Sequence, residues 1–274
     1  MVKILKHAKN FFKGMAIGLA TLVPGASGGT MAIILGVYDK LIHAISSFFK
    51  DWKHNSLFLA ELGLGASIGI LLFSRLLESA IETYPAVMQY LFMGLIIGGL
   101  PTLYKKSTAS RKKSISDFIF FVPGFVIVLL MTSEPSTIVN LATVRGFLSM
   151  VFLFIAGIII AIALVLPGIS GSFMLLALGL YSLTLNAINE FNIPFLVSIG
   201  LGIAAGVLGT TKIIEKMLQK YPAKTYMLII GFVTGSLVSV FPGIPAGTQI
   251  FACAVSFVIG LAVVLYLGKH DVED

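Results

Sequence analysis

The chain has 274 residues, of which 57% are hydrophobic and 11% are charged, and its formal net charge is +7 at pH 7. A mean hydropathy of +1.01 excludes a soluble globular domain and indicates an all-α protein that crosses a membrane several times. The basic residues lie in short links between apolar runs, so the positive charge indicates membrane topology and not binding to nucleic acid.

The first predicted element is a re-entrant hairpin over residues 12–45, which follows a lysine-rich N-terminus. Its apolar sequence is interrupted by "PGASGG" at 24–29. Proline removes a helix donor and glycine permits a tight reversal, so the interruption predicts two half-helices that enter the membrane and return to the same side. The basic start places that side in the cytoplasm.

Three predicted spans complete the first half of the chain, which comprises 1–113 and 114–145. They cover 57–77, 86–104 and 117–133, and about 20 residues of helix match a hydrocarbon core of roughly 30 Å. The basic link "KKSTASRKK" after the second span is the strongest cytoplasmic marker. If the hairpin crossed the membrane fully, this link would instead lie outside.

The second half, 146–274, repeats this plan with a hairpin over 146–187 and with spans over 194–214, 225–242 and 248–268. The path places both termini in the cytoplasm, together with all of the 19 lysines and arginines except Arg75 and Arg145. The start of the second hairpin is long enough to span by itself, which leaves open a deeper insertion than that of the first.

The two halves are related in sequence. Residues 14–45 match residues 157–188 at 13 of 32 positions, and residues 58–100 match residues 195–237 at 15 of 43 positions. This self-similarity indicates an internal repeat. Because a hairpin and three spans give an odd number of crossings, the second copy must lie upside down relative to the first. We therefore predict an inverted repeat, the plan of many secondary transporters.

The two interruptions, "VPGASGGTM" at 23–31 and "LPGISGSFM" at 166–174, predict an anion site. Ser27 and Ser170 can each cap the half-helix that follows. The N-terminal N–H groups of that half-helix, its positive dipole end and the hydroxyl groups favour an anion, with phosphate the obvious candidate. The alternative is that the motif is a tolerated kink or a close packing contact between helices.

Two charged pairs at equivalent positions form a second candidate group. Arg75 lies near the outer end of the first full span with Glu78 at i+3, and Lys212 and Glu215 occupy the matching positions of the second copy. One hypothesis is that Arg75 receives an anionic headgroup at the outer face and Lys212 releases it at the inner face. The alternative is that each cation lies at the interface and pairs with its own glutamate.

The remaining ionisable residues point to transport more than to catalysis. Arg145, before the second hairpin, is a weaker candidate for the anion, and Glu61 could carry a coupling proton or reach the cytoplasmic interface. Glu61, Glu78 and Glu215 are the candidates for ion coupling. No metal-ligand spacing or catalytic motif is present, so we expect no metal, no cofactor and no enzyme.

The sequences "GLATLVPGASGGTMAIILGVYDKLI" and "LVLPGISGSFMLLALGLY" resemble the bacterial polyprenyl-phosphate transporters, formerly domain of unknown function 368, over essentially the whole chain. The resemblance implies return of undecaprenyl phosphate from the outer to the inner leaflet of the bacterial plasma membrane, with membrane phospholipid as surroundings. Carried over by position, the family motif falls on Pro24, Gly25, Ser27, Gly28, Gly29 and Thr30, and on Pro167, Gly168, Ser170, Gly171 and Ser172. The prolines and the glycines that follow them are the expected breaks, and the other residues are the expected phosphate ligands.

Two alternative functions remain open from the sequence. Chloride-type channels and exchangers also use broken helices in inverted repeats. An integral-membrane enzyme acting on lipid phosphates is the second alternative. The coupling ion and the oligomeric state do not follow from the residues.

Overall fold

The structure is a computed structural model that describes residues 2–21, 27–108, 115–132, 147–247 and 249–270. Every regular element in these ranges is a helix. The helices of the first half are α1 (Val2–Thr21), α2 (Gly28–Ile34), α3 (Tyr38–Ser46), α4 (Trp52–Thr83), α5 (Pro85–Thr108), α6 (Ile115–Phe118) and α7 (Phe121–Thr132). Those of the second half are α8 (Phe147–Val165), α9 (Gly171–Ala177), α10 (Tyr181–Asn189), α11 (Ile193–Lys220), α12 (Pro222–Val240) and α13 (Gln249–His270).

Five of these helices are long and apolar enough to cross a bilayer, namely α4, α5, α8, α11 and α13 up to Tyr266. Large apolar side chains on their outer faces are exposed, among them Leu71 at 77% and Phe251 at 77%. Exposed apolar surface of this extent is stable in lipid and not in water. The protein is therefore an all-helical, multi-pass membrane protein, as its composition predicts.

Two segments differ in detail from the predicted elements. The predicted span 117–133 is divided, because a turn at 119–120 separates α6 from α7. The first limb of the predicted second hairpin is the continuous helix α8, whose 19 residues are as apolar as a membrane span. By contrast, the first limb of the other hairpin, α1, carries four lysines before its apolar part.

Helix pairs that match in the sequence repeat also pack in matching ways. Helix α1 packs on α4, and α8 packs on α11. At Gly14 a Cβ atom would lie 2.3 Å from the carbonyl oxygen of Leu62, and at the equivalent Gly157 it would lie 2.4 Å from that of Ile199. Only glycine allows backbones to approach this closely, which is typical of membrane helix contacts.

The fifth helix of each half packs against the other half. Helix α5 lies on α13, and α12 lies on α7. The contacts again use equivalent glycines, since a Cβ atom at Gly94 would lie 2.1 Å from the oxygen of Phe257 and one at Gly231 would lie 2.2 Å from that of Phe121. Because α5 and α12 each pack on a helix of the other half, the two halves form one bundle.

The short helices α2 and α3 lie inside this bundle. Ile33 is fully buried in α2, and Tyr38 at the start of α3 is 1% exposed and donates its hydroxyl hydrogen to the Val165 carbonyl, at 3.1 Å. Both residues belong to the largest apolar core, which also includes Ile229 and Val233 of α12. The middle of the protein is thus built around the break that precedes α2.

Polar contacts hold both ends of α3. At its start, Asp39 accepts from Lys106 of α5 at 2.8 Å and from the Tyr226 hydroxyl of α12 at 2.6 Å. Near its end, His43 and Ser46 both hydrogen-bond to Glu215 of α11. Helix α3 is therefore fixed to both halves at its start and to the second half near its end.

Candidate functional site

The two interruptions predicted from the sequence repeat contact each other. Ser27 has extended backbone angles (φ −108°, ψ 145°) and caps α2, because its Oγ accepts from the Thr30 N–H at 3.2 Å. The N–H of Gly168, in the second interruption, donates to Ser27 Oγ and to Thr30 Oγ1, both at 3.0 Å. A hydroxyl pair of the first copy thus binds the backbone of the second.

The backbone of the second interruption requires glycine at this contact. Gly168 has φ +85°, and a Cβ atom there would lie 2.6 Å from the carbonyl carbon of Phe232. Its neighbour Pro167 is fully buried against the first interruption, and a Cβ atom at Gly29 would lie 3.3 Å from Pro167 Cα. The small residues of both motifs allow the two breaks to touch.

A cavity of about 340 Å³ lies beside this junction. Its polar side chains are those of Thr21, Ser27, Tyr38, Ser170 and Thr211. The glycines of both motifs, Gly28, Gly29 and Gly171, also line it, and the rest of the lining is apolar. The site therefore offers hydroxyl groups and backbone N–H groups within an apolar surrounding.

Most of these hydroxyl groups already have a partner. Thr21 donates to the Gly18 carbonyl at 2.6 Å, Thr211 donates to that of Val207 at 2.7 Å, and Tyr38 donates as described above. Ser170 lines the cavity, and its hydroxyl forms no hydrogen bond with another residue in the part of the chain that the structure describes. Ser170 is thus the side chain best placed to donate to a ligand.

The predicted cations do not line the cavity. Arg75 in α4 and Lys212 in α11 are both exposed, and no charged residue among the described ones contributes to the lining. Lys212 directly follows Thr211, but consecutive residues of a helix point in directions about 100° apart, since one turn takes 3.6 residues. Thr211 therefore faces the cavity while Lys212 faces outward.

Two of the predicted carboxylates, Glu215 and Glu61, bind partners outside the cavity. Glu215 contacts His43 and Ser46, and it forms no ion pair with Lys212. Glu61, on α4, contacts His7 and accepts from Asn10 of α1 at 2.6 Å. Both carboxylates lie outside the lining of the cavity.

Several predicted site residues lie outside the described part of the chain. These are Pro24, Gly25 and Arg145, together with the side chains of Glu78 and Ser172. In the described ranges, no group of histidine, cysteine and acidic residues could hold a metal ion.

Three polar residues of the cavity were missed by the sequence analysis, namely Thr21, Tyr38 and Thr211. Tyr38 had a usable signal, because Tyr181 occupies the matching position of the second copy. Thr21 has no such counterpart, since Leu164 stands at its matching position, and Thr211 is matched by a different hydroxyl residue, Ser74.

Comparison with known proteins identifies the family. Residues 17–254 match the family model described as "VCA0040-like: Undecaprenyl phosphate translocase-like". The chain belongs to this family. The match covers both interruptions and the helices that enclose the cavity, so the resemblance stated from the two motifs is confirmed.

Two relatives are similar over most of their length. The polyprenyl-phosphate transporter of Staphylococcus aureus is 35% identical over 277 residues, which cover 97% of this chain and 97% of that protein. The polyprenyl-phosphate transporter of Vibrio cholerae is 30% identical over 260 residues, which cover 88% of this chain and 79% of that protein. No solved structure matches the chain.

Proposed function

We propose that this protein carries a polyprenyl phosphate, specifically undecaprenyl phosphate, from the outer to the inner leaflet of the bacterial plasma membrane. The observation that carries the proposal is the junction at which Ser27 and Thr30 bind Gly168 beside a cavity with hydroxyl groups. The identity of the lipid is inferred from the names of the two relatives, which are polyprenyl-phosphate transporters. Those relatives are named as transporters and not as enzymes, which supports a carrier without catalysis.

The proposed architecture is an inverted repeat in which each half has a broken-helix hairpin and three spans. The matched glycine contacts of α1 with α4 and of α8 with α11 support two copies of one packing unit. The odd number of crossings predicted for each copy from the sequence supports their opposite orientation. In this arrangement both termini are cytoplasmic, and the junction lies near the middle of the bilayer.

The proposed phosphate site combines the hydroxyl of Ser170 with the N–H groups of both motifs. Ser27, Gly28 and Gly29 of the first motif and Ser170 and Gly171 of the second line this site. Thr30 and Ser172 remain candidate ligands from the same motifs. Since no described charged side chain lines the cavity, the phosphate would be held by neutral donors. Moderate binding suits a carrier, because a ligand that is bound too tightly in an apolar site is not released.

In our proposal, the cations bind the headgroup before it enters the cavity and after it leaves. Arg75 and Lys212 are exposed, so they are available to a headgroup at the membrane surface. Arginine can form two parallel hydrogen bonds to a phosphate, whereas lysine acts as a compact point charge. We assign capture to Arg75, release to Lys212 and a secondary capture role to Arg145. Glu61, Glu78 and Glu215 remain our candidates for ion coupling.

A leaflet assay in liposomes tests the function. Purified protein is incorporated into vesicles, fluorescent undecaprenyl phosphate is added to the outer leaflet, and protected lipid is measured after the outer label is quenched. We expect protection in protein-containing vesicles and none in empty ones. Equal protection in both would refute the carrier.

The same vesicles separate the alternative functions. A small-anion channel or exchanger predicts chloride flux above that of empty vesicles, whereas our proposal predicts background flux. A lipid-phosphate enzyme predicts a changed headgroup in the recovered lipid, which mass spectrometry would detect. Chloride flux or a changed headgroup, observed without lipid movement, would refute the proposed function and support the corresponding alternative.

A further inference from the structure

A second cavity, of about 250 Å³, lies on the other side of the first interruption. Apart from Ser27 and Thr30, every side chain that lines it is apolar. It is enclosed by α1, α2, α4, α5 and α13, and its lining includes Ala16, Ala20 and Leu95. We call it the apolar cavity, and we call the one beside Ser170 the junction cavity.

The two cavities share Ser27 in their walls. Ser27 is 7% exposed, and its Oγ accepts from Thr30 and Gly168, so it is a fixed part of the partition at the place where the two cavities meet. On one side of the partition lie donor groups, and on the other side lies almost pure hydrocarbon. This arrangement matches an amphiphile with a polar end joined directly to a long apolar chain.

The apolar cavity is unsuited to water. A buried water molecule needs two to four polar partners, and apolar cavities of this size stay dry. The hydroxyls of Ser27 and Thr30 are already engaged with each other and with Gly168. A hydrocarbon ligand is therefore the occupant that the chemistry of the lining favours.

The lining of the apolar cavity continues to the outer surface of the bundle. On α13, Val263 is 46% exposed while its neighbour Val264 is 1% exposed, and both contribute to the lining. An apolar chain too long for the cavity could therefore continue past Val263 into the surrounding lipid.

The side chains around the apolar cavity suit a branched chain. Met31 of α2 and Met88 of α5 are unbranched thioethers that adapt to irregular shapes. Ala16 and Ala20, one turn apart on α1, leave room for methyl branches.

We propose that the apolar cavity binds the isoprene units next to the phosphate, while the phosphate lies in the junction cavity beyond Ser27. The proposal rests on the proposed function and adds the recognition of the chain to it. It makes this cavity the part of the protein that contacts the prenyl chain.

Binding of farnesyl phosphate to the detergent-solubilised protein tests the proposal. Ala20→Leu adds three carbon atoms at a buried position of the lining and should weaken farnesyl phosphate binding by roughly 60-fold, since three displaced methylene groups each account for about a factor of four. Ala204→Leu makes the same change at an exposed position of α11 that lines neither cavity, and it should leave the affinity unchanged. Equal affinities of the two variants, measured by calorimetry, would overturn the proposal.

Photo-crosslinking of the unmodified protein gives a result that does not depend on the folding of a variant. Undecaprenyl phosphate with a diazirine in its first isoprene units should label peptides of α5 and α13 that contain Leu95 and Val264. Labelling confined to other helices would overturn the proposal that the apolar cavity binds the isoprene units. If undecaprenyl phosphate moves between leaflets but neither peptide is labelled, the proposed isoprene site is refuted and the proposed function stands. If the lipid does not move at all, the proposed function itself fails.

Discussion

The Gly168 N–H has two acceptors, and this redundancy gives a quantitative prediction. Ser27→Ala removes the cap of α2 at a cost of about 1 kcal/mol, but Gly168 keeps Thr30 Oγ1 as an acceptor at 3.0 Å. Thr30→Val keeps the shape of the side chain and removes the other acceptor, at about 1 kcal/mol, because Ser27 Oγ remains at 3.0 Å.

The double variant should cost more than the sum of the single variants. Gly168 is buried, and loss of both hydroxyls leaves its N–H without an acceptor, which adds about 1–3 kcal/mol. The expected total is therefore about 3–5 kcal/mol, against a sum of about 2 kcal/mol for the singles. Such an excess is the sign of two groups that act on one partner.

The assay is reversible unfolding in mixed micelles by titration with sodium dodecyl sulfate, followed by circular dichroism. Ser27→Ala combined with Ser256→Ala is the matched control, because Ser256 donates to the Val87 carbonyl and shares no partner with Ser27. We expect the control pair to be additive within about 0.5 kcal/mol. Additivity of Ser27→Ala with Thr30→Val would refute the shared hydrogen bond and, with it, the contact between the two breaks.

Further predictions concern the site, the backbone, the surface cation and the topology. Ser170→Ala should reduce leaflet transport at least severalfold while changing the unfolding free energy by less than about 0.5 kcal/mol, and normal transport would remove Ser170 from the site. Gly168→Ala should destabilise the protein by more than about 2 kcal/mol in the same titration, because of its positive φ and the contact with Phe232, and a native-like titration would contradict that geometry. Arg75→Ala should slow capture from the outer leaflet strongly and Arg75→Lys partially, whereas equal rates would assign Arg75 a structural role. In a cysteine-free protein, Ala109→Cys should react with impermeant maleimide only from the cytoplasm and Thr137→Cys only from outside, and the reverse would rule out the inverted repeat.

The class of fold and the positions of the two helix interruptions could be predicted from the sequence because both depend on local patterns. Apolar runs of membrane length predict helices, and a proline followed by glycine and serine predicts a break wherever it occurs. Two such breaks at matching repeat positions therefore indicate the residues around Ser27 and Gly168 from the sequence alone.

The contacts of the site could not be predicted because they depend on helix rotation and on long-range packing. Thr211 faces the junction cavity and Lys212 does not, a difference of one position that only the packing of α11 decides. The partners of Glu215 come from α3, 169 and 172 residues earlier in the chain. Sequence spacing pointed instead to the neighbour at i−3, which is Lys212.

The contacts at the two ends of α3 make the two halves of the protein unequal. Asp39 and His43 hold α3 in place, but the matching residues of α10 are Ser182 and Asn186, which carry no charge at any pH. Salt can therefore screen the Lys106–Asp39 pair that holds α3, whereas Ser182 and Asn186 offer α10 no charge for such a pair. The two similar copies therefore differ in the charges that hold their short helices, and the two ends of the bundle need not respond alike to ionic strength.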